Sequence, residues 1–124
     1  MHKDIKPENF LLMKKDDPSS IKMIDFGLCQ MLSSKEEEMS QVIGSPFYVS
    51  PEVLNGKYFI SCDMWAMGVM MYAMLAGRYP FEGDDNETLF KNIKKGEYEL
   101  TKEPWNSISK EAIDLIQHLL CSES

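Results

Sequence analysis

The first nine residues of the chain contain several side chains that could do chemistry. An acid, a base and an amide, Asp4, Lys6 and Asn9, lie within six positions, and a second acid, Asp25, follows a short apolar run. A carboxylate can accept a proton during a reaction. Carboxylate and amide oxygens are also ligands that Mg²⁺ prefers. One Asp before a turn is usually a helix cap and one Asn in a loop is usually a turn residue, so a functional interpretation depends on the whole set.

Two short apolar runs follow the polar residues and read as strands. They cover 10–13 and 21–24, and the intervening KKDDPSS indicates a turn through Pro18 and its paired serines. A long stretch without periodicity comes next, at about 25–52. A stretch of this length inside a compact domain is usually functional or disordered. The sequence therefore predicts one small β-hairpin followed by an irregular segment.

Helical patterns dominate the second half of the chain. The predicted helices run from Ser61 or Cys62 to Gly77, from 84 to 95 with Gly96 as the end, and onward from Ser109. The first is apolar almost throughout and reads as a helix buried on all sides. The apolar face of the last contains Ala112, Ile113, Leu115, Ile116, Leu119 and Leu120. The predicted fold class is therefore mainly α with a small β-hairpin.

Composition and charge limit the possible functions. The 124 residues suit one domain, and 44% hydrophobic residues is ordinary for a globular protein. A net charge of −7 repels phosphate backbones, so the sequence predicts no nucleic-acid partner and fits basic partners. Three cysteines without a Cys-x-x-Cys pair, and no signal peptide, indicate a cytoplasmic location. No apolar run reaches the roughly 20 residues of a transmembrane helix, although membrane association through a preceding N-terminal segment stays open.

Three short motifs occur in an order that is typical of one family. HKDIKPEN at 2–9, Asp25-Phe26-Gly27 and Ser50-Pro51-Glu52 resemble the catalytic loop, the Asp-Phe-Gly motif and the Ala-Pro-Glu motif of protein kinases. The apolar run that contains Asp63 resembles the central helix of the same family. Each motif alone is common, whereas the three in this order and at these separations are not. The chain is thus similar to the large lobe of a Ser/Thr protein kinase, and 1–124 is expected to be a partial kinase catalytic domain.

The resemblance implies a role for each motif residue. Asp4 would accept or orient the proton of a substrate hydroxyl, and Lys6 would put a positive charge near the transferred phosphate. Asn9 and Asp25 would bind Mg²⁺. The implied cofactors are ATP and Mg²⁺. The implied cofactor-binding residues are Lys6, Glu8, Asn9 and Asp25, and the implied substrate-facing residues are Glu8 and Ser45.

The resemblance also assigns a supporting structural role to a second group of residues. They are His2, Lys3, Phe26, Gly27, Glu52 and Asp63. Asp63 would accept hydrogen bonds from backbone amides of the catalytic loop, although a plain charge at a helix N-terminus is a competing explanation. Glu52 would be a buried carboxylate whose arginine partner is expected beyond the last residue of the chain.

The irregular segment 25–52 would be the activation segment of the kinase. Ser45, in Gly-Ser-Pro, would help to position the catalytic side chains and is expected to be a site residue rather than a regulatory phosphosite. Gln41 stands where many kinases carry a phosphorylated Ser or Thr. Lys3 replaces the arginine that is common in the family and lacks its bidentate geometry. The acids at 36–38 either supply constitutive negative charge nearby or form a solvated loop, and the solvated loop is the default.

Partners and regulation follow from the same resemblance. Glu8 suits protein substrates with basic residues upstream of the target Ser or Thr, whereas Ala73 stands where some kinases have a second acid. The calcium-dependent protein kinases are the most similar branch, so calcium control is expected through regulatory regions outside these residues. A small lobe with a glycine-rich loop is also expected outside them. We therefore expect a catalytic-lobe fragment, truncated at both ends and inactive alone. A non-catalytic binding or scaffolding piece, or an incomplete gene product, is the alternative.

Overall fold

The computed structural model describes residues 1–34 and 37–122 of the chain. In these residues the strands are β1 (Phe10–Leu12) and β2 (Ile21–Met23), and the helices are α1 (Pro51–Leu54), α2 (Ser61–Ala76), α3 (Asn86–Lys95) and α4 (Lys110–Leu119). Short 3₁₀ turns connect several of these elements. The predicted fold class, mainly α with a small β-hairpin, is confirmed.

The two strands form an antiparallel hairpin, as the sequence predicts. Leu11 faces Lys22 at the centre of the pair. In the connection between the strands, the Asp17 carboxylate accepts a hydrogen bond from Ser19 N at 3.0 Å and caps a 3₁₀ turn. An Asp in this position satisfies a backbone donor that the turn leaves unpaired. Each strand ends one residue earlier than predicted.

The central helix α2 begins and ends where the sequence predicts. Gly77 closes it in the left-handed conformation, with a φ of 69° that glycine adopts without strain. The buried residues of α2 are Cys62, Trp65, Ala66, Gly68, Val69 and Tyr72. The prediction that the helix is buried on all sides is wrong, because Met64 and Met74 are 54% and 74% exposed. The described elements cover one face of α2, and the uncovered face is also apolar, so composition alone did not reveal which face packs.

Helix α4 packs closely on α2 at Gly68. A Cβ atom at this position would lie 2.8 Å from Leu119 Cβ and 2.9 Å from Leu120 Cδ2. A larger residue would therefore push the two helices apart. Ile116 is fully buried in this contact region of α4, whereas Leu115 is 48% exposed. The prediction that Leu115 belongs to the buried face of the last helix is therefore wrong. The described elements pack on a narrower stripe of α4 around Ile116.

Capping residues fix where α3 and α4 begin. Ser109 caps α4 at the predicted position. Asp85 caps α3 by accepting a hydrogen bond from Thr88 N at 2.7 Å. Helix α3 therefore starts two residues later than predicted, and it ends at Gly96 as predicted.

The core joins the helices to the segment between the hairpin and α2. Its largest fully buried side chains include Trp105, Tyr58, Tyr72, Leu89, Ile93, Ile116 and Val69. Trp65 and Phe81 stack beside them with ring centroids 5.6 Å apart. None of the described helices combines the length and the apolar character needed to cross a membrane.

Candidate active site

Asp63 anchors the catalytic loop, residues 2–9, to the first turn of α2. Its carboxylate accepts hydrogen bonds from His2 N at 2.7 Å and from Lys3 N at 2.9 Å. Lys3 has a φ of 71°, which is unfavourable for a residue with a side chain. The two charge-assisted hydrogen bonds stabilise this backbone conformation. Asp63 also lies where the helix dipole favours an acid, so both explanations offered by the sequence apply together.

His2 connects the catalytic loop to the residues after β2. The buried imidazole accepts a hydrogen bond from Asp4 N through Nδ1 at 3.2 Å and donates through Nε2 to Ile24 O at 3.2 Å. This tautomer satisfies both ring nitrogens with backbone groups. The edge of the ring also meets Phe26, with centroids 5.4 Å apart. In the described residues, the hydrogen bonds of the imidazole ring thus go to backbone groups, and its aromatic contact is with Phe26.

Three side chains surround the Asp4 carboxylate. Ser45 Oγ donates to Asp4 Oδ1 at 2.8 Å, and Lys6 Nζ donates to the same Ser45 Oγ at 2.8 Å. Lys6 Nζ also lies 3.4 Å from Asp4 Oδ2. Asn9 Nδ2 donates to Asp4 O at 2.6 Å and to Asp4 Oδ2 at 3.3 Å. The structure thus brings together four residues that the sequence singled out, although Ser45 is 41 positions from Asp4.

These contacts favour the charged form of Asp4. Partial burial by itself raises the pKa of this carboxyl. The hydrogen bond from Ser45, the charge and hydrogen bond of Lys6 and the hydrogen bond from Asn9 outweigh burial and lower the pKa below its ordinary value. The carboxylate is therefore deprotonated at neutral pH, which is the state in which it can accept a proton.

Asp25 directly follows Ile24, whose backbone is bonded to the catalytic loop. Ile24 N donates to Asn9 O at 2.8 Å, and Ile24 O is bonded to His2, so the residue before Asp25 is fixed on both sides. Asp25 itself has a φ of 60°, a conformation that Asp tolerates better than most residues. Its exposed carboxylate accepts one hydrogen bond, from Gly27 N at 3.3 Å, in the part of the chain that the structure describes.

Asn9 and Asp25 have donor atoms that suit Mg²⁺. Asn9 is buried, and its side-chain hydrogen bonds in the described residues go through Nδ2, which leaves Oδ1 as the atom that could bind a metal. The Asp25 carboxylate faces solvent. Mg²⁺ prefers hard oxygen ligands and usually takes only one or two from protein, with water and phosphate oxygens completing its shell. The chemistry of these two residues fits a metal bound together with a nucleotide.

Other residues singled out in the sequence lie outside the Asp4 cluster. Glu8 is exposed on the 3₁₀ turn Pro7–Asn9. Phe26 is 61% exposed, and its aromatic contact in the described part of the chain is with His2. Gly27 is exposed, and a Cβ there would lie 3.3 Å from Asp25 Oδ1. Glu52 was expected to be buried, but it is half-buried, although its neighbours Pro51 and Val53 in the short helix α1 are buried.

The acids of the activation segment make contacts of their own. Glu37 accepts a hydrogen bond from a backbone amide within its own loop at 2.7 Å, and Glu38 lies 3.7 Å from a lysine that follows α1. Lys3 Nζ donates to Gln30 Oε1 instead of contacting either acid. Glu36 lies outside the described residues. The contacts of Glu37 and Glu38 favour the interpretation of this stretch as a solvated loop.

Comparison with protein families agrees with this geometry. A family model described as a protein kinase domain matches residues 1–124, which is the whole chain. The chain belongs to the protein kinase family.

Several relatives of this kinase chain are calcium-dependent protein kinases. It is 46% identical over 120 residues to calcium-dependent protein kinase 25 of Arabidopsis thaliana, covering 97% of this chain and 23% of that protein. It is 45% identical over 123 residues to calcium-dependent protein kinase 3 of Plasmodium berghei, covering 99% and 22%. It is 43% identical over 120 residues to calcium-dependent protein kinase 7 of Oryza sativa subsp. japonica, covering 97% and 22%. The kinase chain thus spans less than a quarter of the length of these relatives.

Sequence reasoning missed the contacts that hold the later part of the activation segment. Met39 and Tyr58 form an isolated antiparallel bridge through backbone hydrogen bonds of 2.9 and 3.0 Å. The Tyr58 hydroxyl also donates to Gln41 O at 2.5 Å, and both bridged side chains are buried. A bridge between single residues has no periodic pattern, so the sequence contained no signal for it. These contacts attach residues 39–41, part of the predicted activation segment, to the loop before α2.

Proposed function

We propose that the whole protein is a Ser/Thr protein kinase that transfers the γ-phosphate of ATP to hydroxyl groups of protein substrates. The observation that supports this best is the Asp4 carboxylate, which is charged and bonded to Ser45 and Lys6 at the same time. The Ser45 hydroxyl already occupies the position of a donor to Asp4. A substrate hydroxyl beside it could donate to the same carboxylate in the same way.

In this proposal two side chains of the catalytic loop take part in phosphate transfer: one accepts a proton, and the other stabilises negative charge on the transferred phosphoryl group. The oxygen of the substrate hydroxyl forms a bond to the γ-phosphorus, and Asp4 accepts the proton that this hydroxyl loses. The bond between that phosphorus and the bridging oxygen breaks, and ADP leaves. Lys6, 3.4 Å from Asp4, keeps a positive charge beside the transferred phosphoryl group. Ser45 holds Asp4 and Lys6 in a fixed relation, so little reorganisation is needed during the step.

Asn9 and Asp25 are the proposed metal ligands of the kinase. Bound Mg²⁺ would neutralise phosphate charge and orient the nucleotide. Asn9 is a suitable ligand because its hydrogen bonds to Asp4 already fix its side chain. The same two bonds link the metal ligand to the proton acceptor, so we expect nucleotide and substrate hydroxyl to be aligned by one rigid group.

The proposed substrates carry basic residues upstream of the target Ser or Thr. Glu8 presents an exposed carboxylate one position from Asn9, and the net charge of −7 favours approach of a basic peptide. Ala73 on α2 adds no second carboxylate. We therefore expect selection for a single basic residue rather than for a pair.

Calcium control and a cytoplasmic location complete the proposal. Three similar proteins are named as calcium-dependent protein kinases, and they are several times longer than this chain. Calcium would act through regions outside the 124 residues. The small lobe and the regulatory domain are then the expected partners of this lobe within the whole protein.

A phosphotransfer assay on the whole protein tests the proposal. We expect Mg²⁺- and ATP-dependent phosphorylation of a basic Ser peptide, stimulated by calcium, and a loss of roughly 100-fold or more in kcat for Asp4→Asn. An exposed α2 variant, Met74→Leu, is the matched control and should retain full activity. Peptide binding without any phosphate transfer would favour the non-catalytic alternative. That residues 1–124 alone transfer no phosphate stays a prediction, and the same assay tests it.

A further inference from the structure

The segment 25–29, which contains the Asp-Phe-Gly motif, is attached to the start of the chain at both of its ends. At the near end, the backbone of Ile24 is bonded to the catalytic loop. At the far end, Gln30 N donates to Met1 O at 3.0 Å, and Met1 N donates to Gln30 O at 3.1 Å. The residues between these two attachments are all exposed. The position of Asp25 therefore depends on how firmly each end of the segment is held.

The side chain of Gln30 adds an attachment at the far end. Lys3 Nζ donates to Gln30 Oε1, and both residues are half-buried. A hydrogen bond from a charged donor is stronger than one between neutral groups, and the low local dielectric of a half-buried site strengthens it. Lys3 directly precedes Asp4. The bond therefore connects the residue that follows segment 25–29 with the residue that carries the chain into Asp4.

Lys3 has little freedom to move away from Gln30. Its backbone N–H donates to Asp63 at 2.9 Å, and its φ of 71° lies in the left-handed region that few residues with a side chain adopt. Its carbonyl oxygen adjoins Gly44, because a Cβ atom on Gly44 would lie 3.0 Å from Lys3 O. Lys3 is thus held by α2 on one side and by the predicted activation segment on another. It is a fixed point to which the far end of segment 25–29 is attached.

The other described contacts at the far end do not replace this bond. Cys29 Sγ lies 3.7 Å from His2 O, and a thiol is only a weak donor. The two backbone bonds of Gln30 go to Met1, which precedes the catalytic loop. A bond between a lysine and a glutamine is often a simple contribution to stability. Here, however, it closes the segment that carries Asp25, whose exposed carboxylate has little support of its own.

We infer that Gln30 is a positioning residue for Asp25. By accepting the hydrogen bond from Lys3, Gln30 attaches the far end of segment 25–29 to the catalytic loop and sets where the Asp25 carboxylate lies relative to Asp4. Gln30 acts through Lys3 and touches none of the reacting atoms. The inference rests on the proposed function, because it gives Gln30 a role in the binding of the magnesium nucleotide by Asp25.

The test compares Gln30→Met with Gln30→Glu in the whole protein. Methionine has a similar length but no oxygen acceptor, whereas glutamate keeps one. In nucleotide-free Gln30→Met we expect faster hydrogen exchange at the Cys29 amide, which donates to Phe26 O at 3.1 Å. The KM for ATP with Mg²⁺ should rise on the order of tenfold, as expected for the loss of one hydrogen bond to a charged group. The KM for the peptide substrate should stay unchanged, and Gln30→Glu should behave like the wild type in every measurement.

Gln41→Met is the matched control. Gln41 is an exposed glutamine, and its hydrogen bond in the described part of the chain goes to its backbone oxygen, so the variant should change neither the exchange rate nor the KM for ATP. A purely structural role of Gln30 would lower the free energy of unfolding and leave the KM for ATP unchanged, and this result would overturn the inference. Equal defects in Gln30→Glu and Gln30→Met, or an exchange rate at Cys29 that Gln30→Met does not alter, would overturn it as well.

Failure of the proposed function can be told apart from failure of the inference. If the wild type phosphorylates no peptide, the proposed function fails by itself. Hydrogen exchange of the nucleotide-free variants and calorimetric titration with ATP and Mg²⁺ then decide the inference without any turnover. Wild-type affinity for the nucleotide in Gln30→Met would refute it.

Discussion

Asp4 and Asp25 are the two acids of the proposed active site, but the protein contacts them in different ways. Asp4 receives side-chain hydrogen bonds from Ser45, Lys6 and Asn9. Asp25 is exposed, and the one hydrogen bond to its carboxylate in the described residues comes from the backbone two positions later. Both acids nevertheless sit on backbone that is held firmly by neighbouring groups.

The difference indicates that protein side chains fix the Asp4 carboxylate, whereas they leave the Asp25 carboxylate open to a ligand. The groups around Asp4 are preorganised, so its charge and orientation are already set when a substrate arrives. The position of Asp25 is set through Ile24, which is bonded to Asn9 and His2, while its carboxylate is left open. An open carboxylate on a fixed backbone suits a ligand that supplies its own positive charge. We therefore expect substitutions to affect stability and activity separately at the two acids.

The largest expected effect is the loss of activity in Asp25→Asn. Asparagine tolerates the φ of 60° and keeps the side-chain shape, so the variant removes mainly the charge. In the whole protein we expect kcat to fall on the order of a thousandfold. The free energy of unfolding should change by no more than about 0.5 kcal/mol, because no packed contact is lost. Full activity with Mg²⁺ and ATP, or a strongly destabilised variant, would contradict this division between the two acids.

Local signals in the sequence account for the parts of the fold that were predicted well. Gly77 and Gly96 end their helices in the left-handed conformation, and Ser109 caps the last helix. These positions depend on residues within one turn, so spacing along the chain reveals them. The two strands were found for the same reason, since a turn sequence separates two short apolar runs.

Features that depend on distant residues were not predictable in this way. The exposed face of α2 is as apolar as its buried face, so Met64 and Met74 could not be distinguished from core residues. In the site, Asp4, Lys6 and Asn9 are neighbours along one loop. The contact of Ser45 with that loop was expected only from the family resemblance, and the stacking of Phe47 on Tyr79 had no sequence signal at all.

The next largest effect should be the loss of stability in Asp63→Asn. The carboxylate accepts hydrogen bonds from the backbone of His2 and Lys3, and an amide offers only one acceptor atom in its place. One backbone N–H would lose its partner, which costs about 1–3 kcal/mol. Chemical denaturation of the wild type and the variant measures this difference. An unchanged denaturation midpoint would show that the bonds from Asp63 to the catalytic loop do not contribute to the stability of the protein.

A smaller effect is expected from Ser45→Ala, which should change the pKa of Asp4. Of the groups that lower the pKa of Asp4, Ser45 contributes most, so the pKa should rise when its hydroxyl is removed. The acid limb of the pH–activity profile should then move to higher pH. A carboxyl with a lowered pKa stabilises the folded state above its unfolded pKa and loses that contribution as pH falls through the folded pKa. The stability difference between wild type and variant should therefore be present at neutral pH and shrink in acid.

Measurement of the Asp4 carboxyl resonance by NMR during a pH titration tests this directly. Ser40→Ala is the matched control, since Ser40 is an exposed serine of the same segment that makes none of these contacts. An Asp4 titration that is identical in Ser45→Ala and wild type would show that Lys6 and Asn9 alone set the charge of Asp4. The difference in environment between Asp4 and Asp25 would then be due to residues of the catalytic loop and not to Ser45.

The smallest expected effect concerns the attachment of the activation segment, in Tyr58→Phe. The variant keeps the buried ring and removes the hydroxyl that donates to Gln41 O at 2.5 Å. We expect a loss of about 0.5–1.5 kcal/mol in stability and faster hydrogen exchange at the Met39 amide, which is bonded to Tyr58 O. Tyr98→Phe is the matched control, because no hydrogen bond to the Tyr98 hydroxyl is found among the described residues. Gln41 lies four positions before Ser45, so the loosening should reach the Asp4 cluster first. It should reach Asp25 later, because the preceding residue, Ile24, is bonded to His2 and Asn9. Equal acceleration of exchange at the Ser45 and Asp25 amides would mean that the two halves of the site share one support.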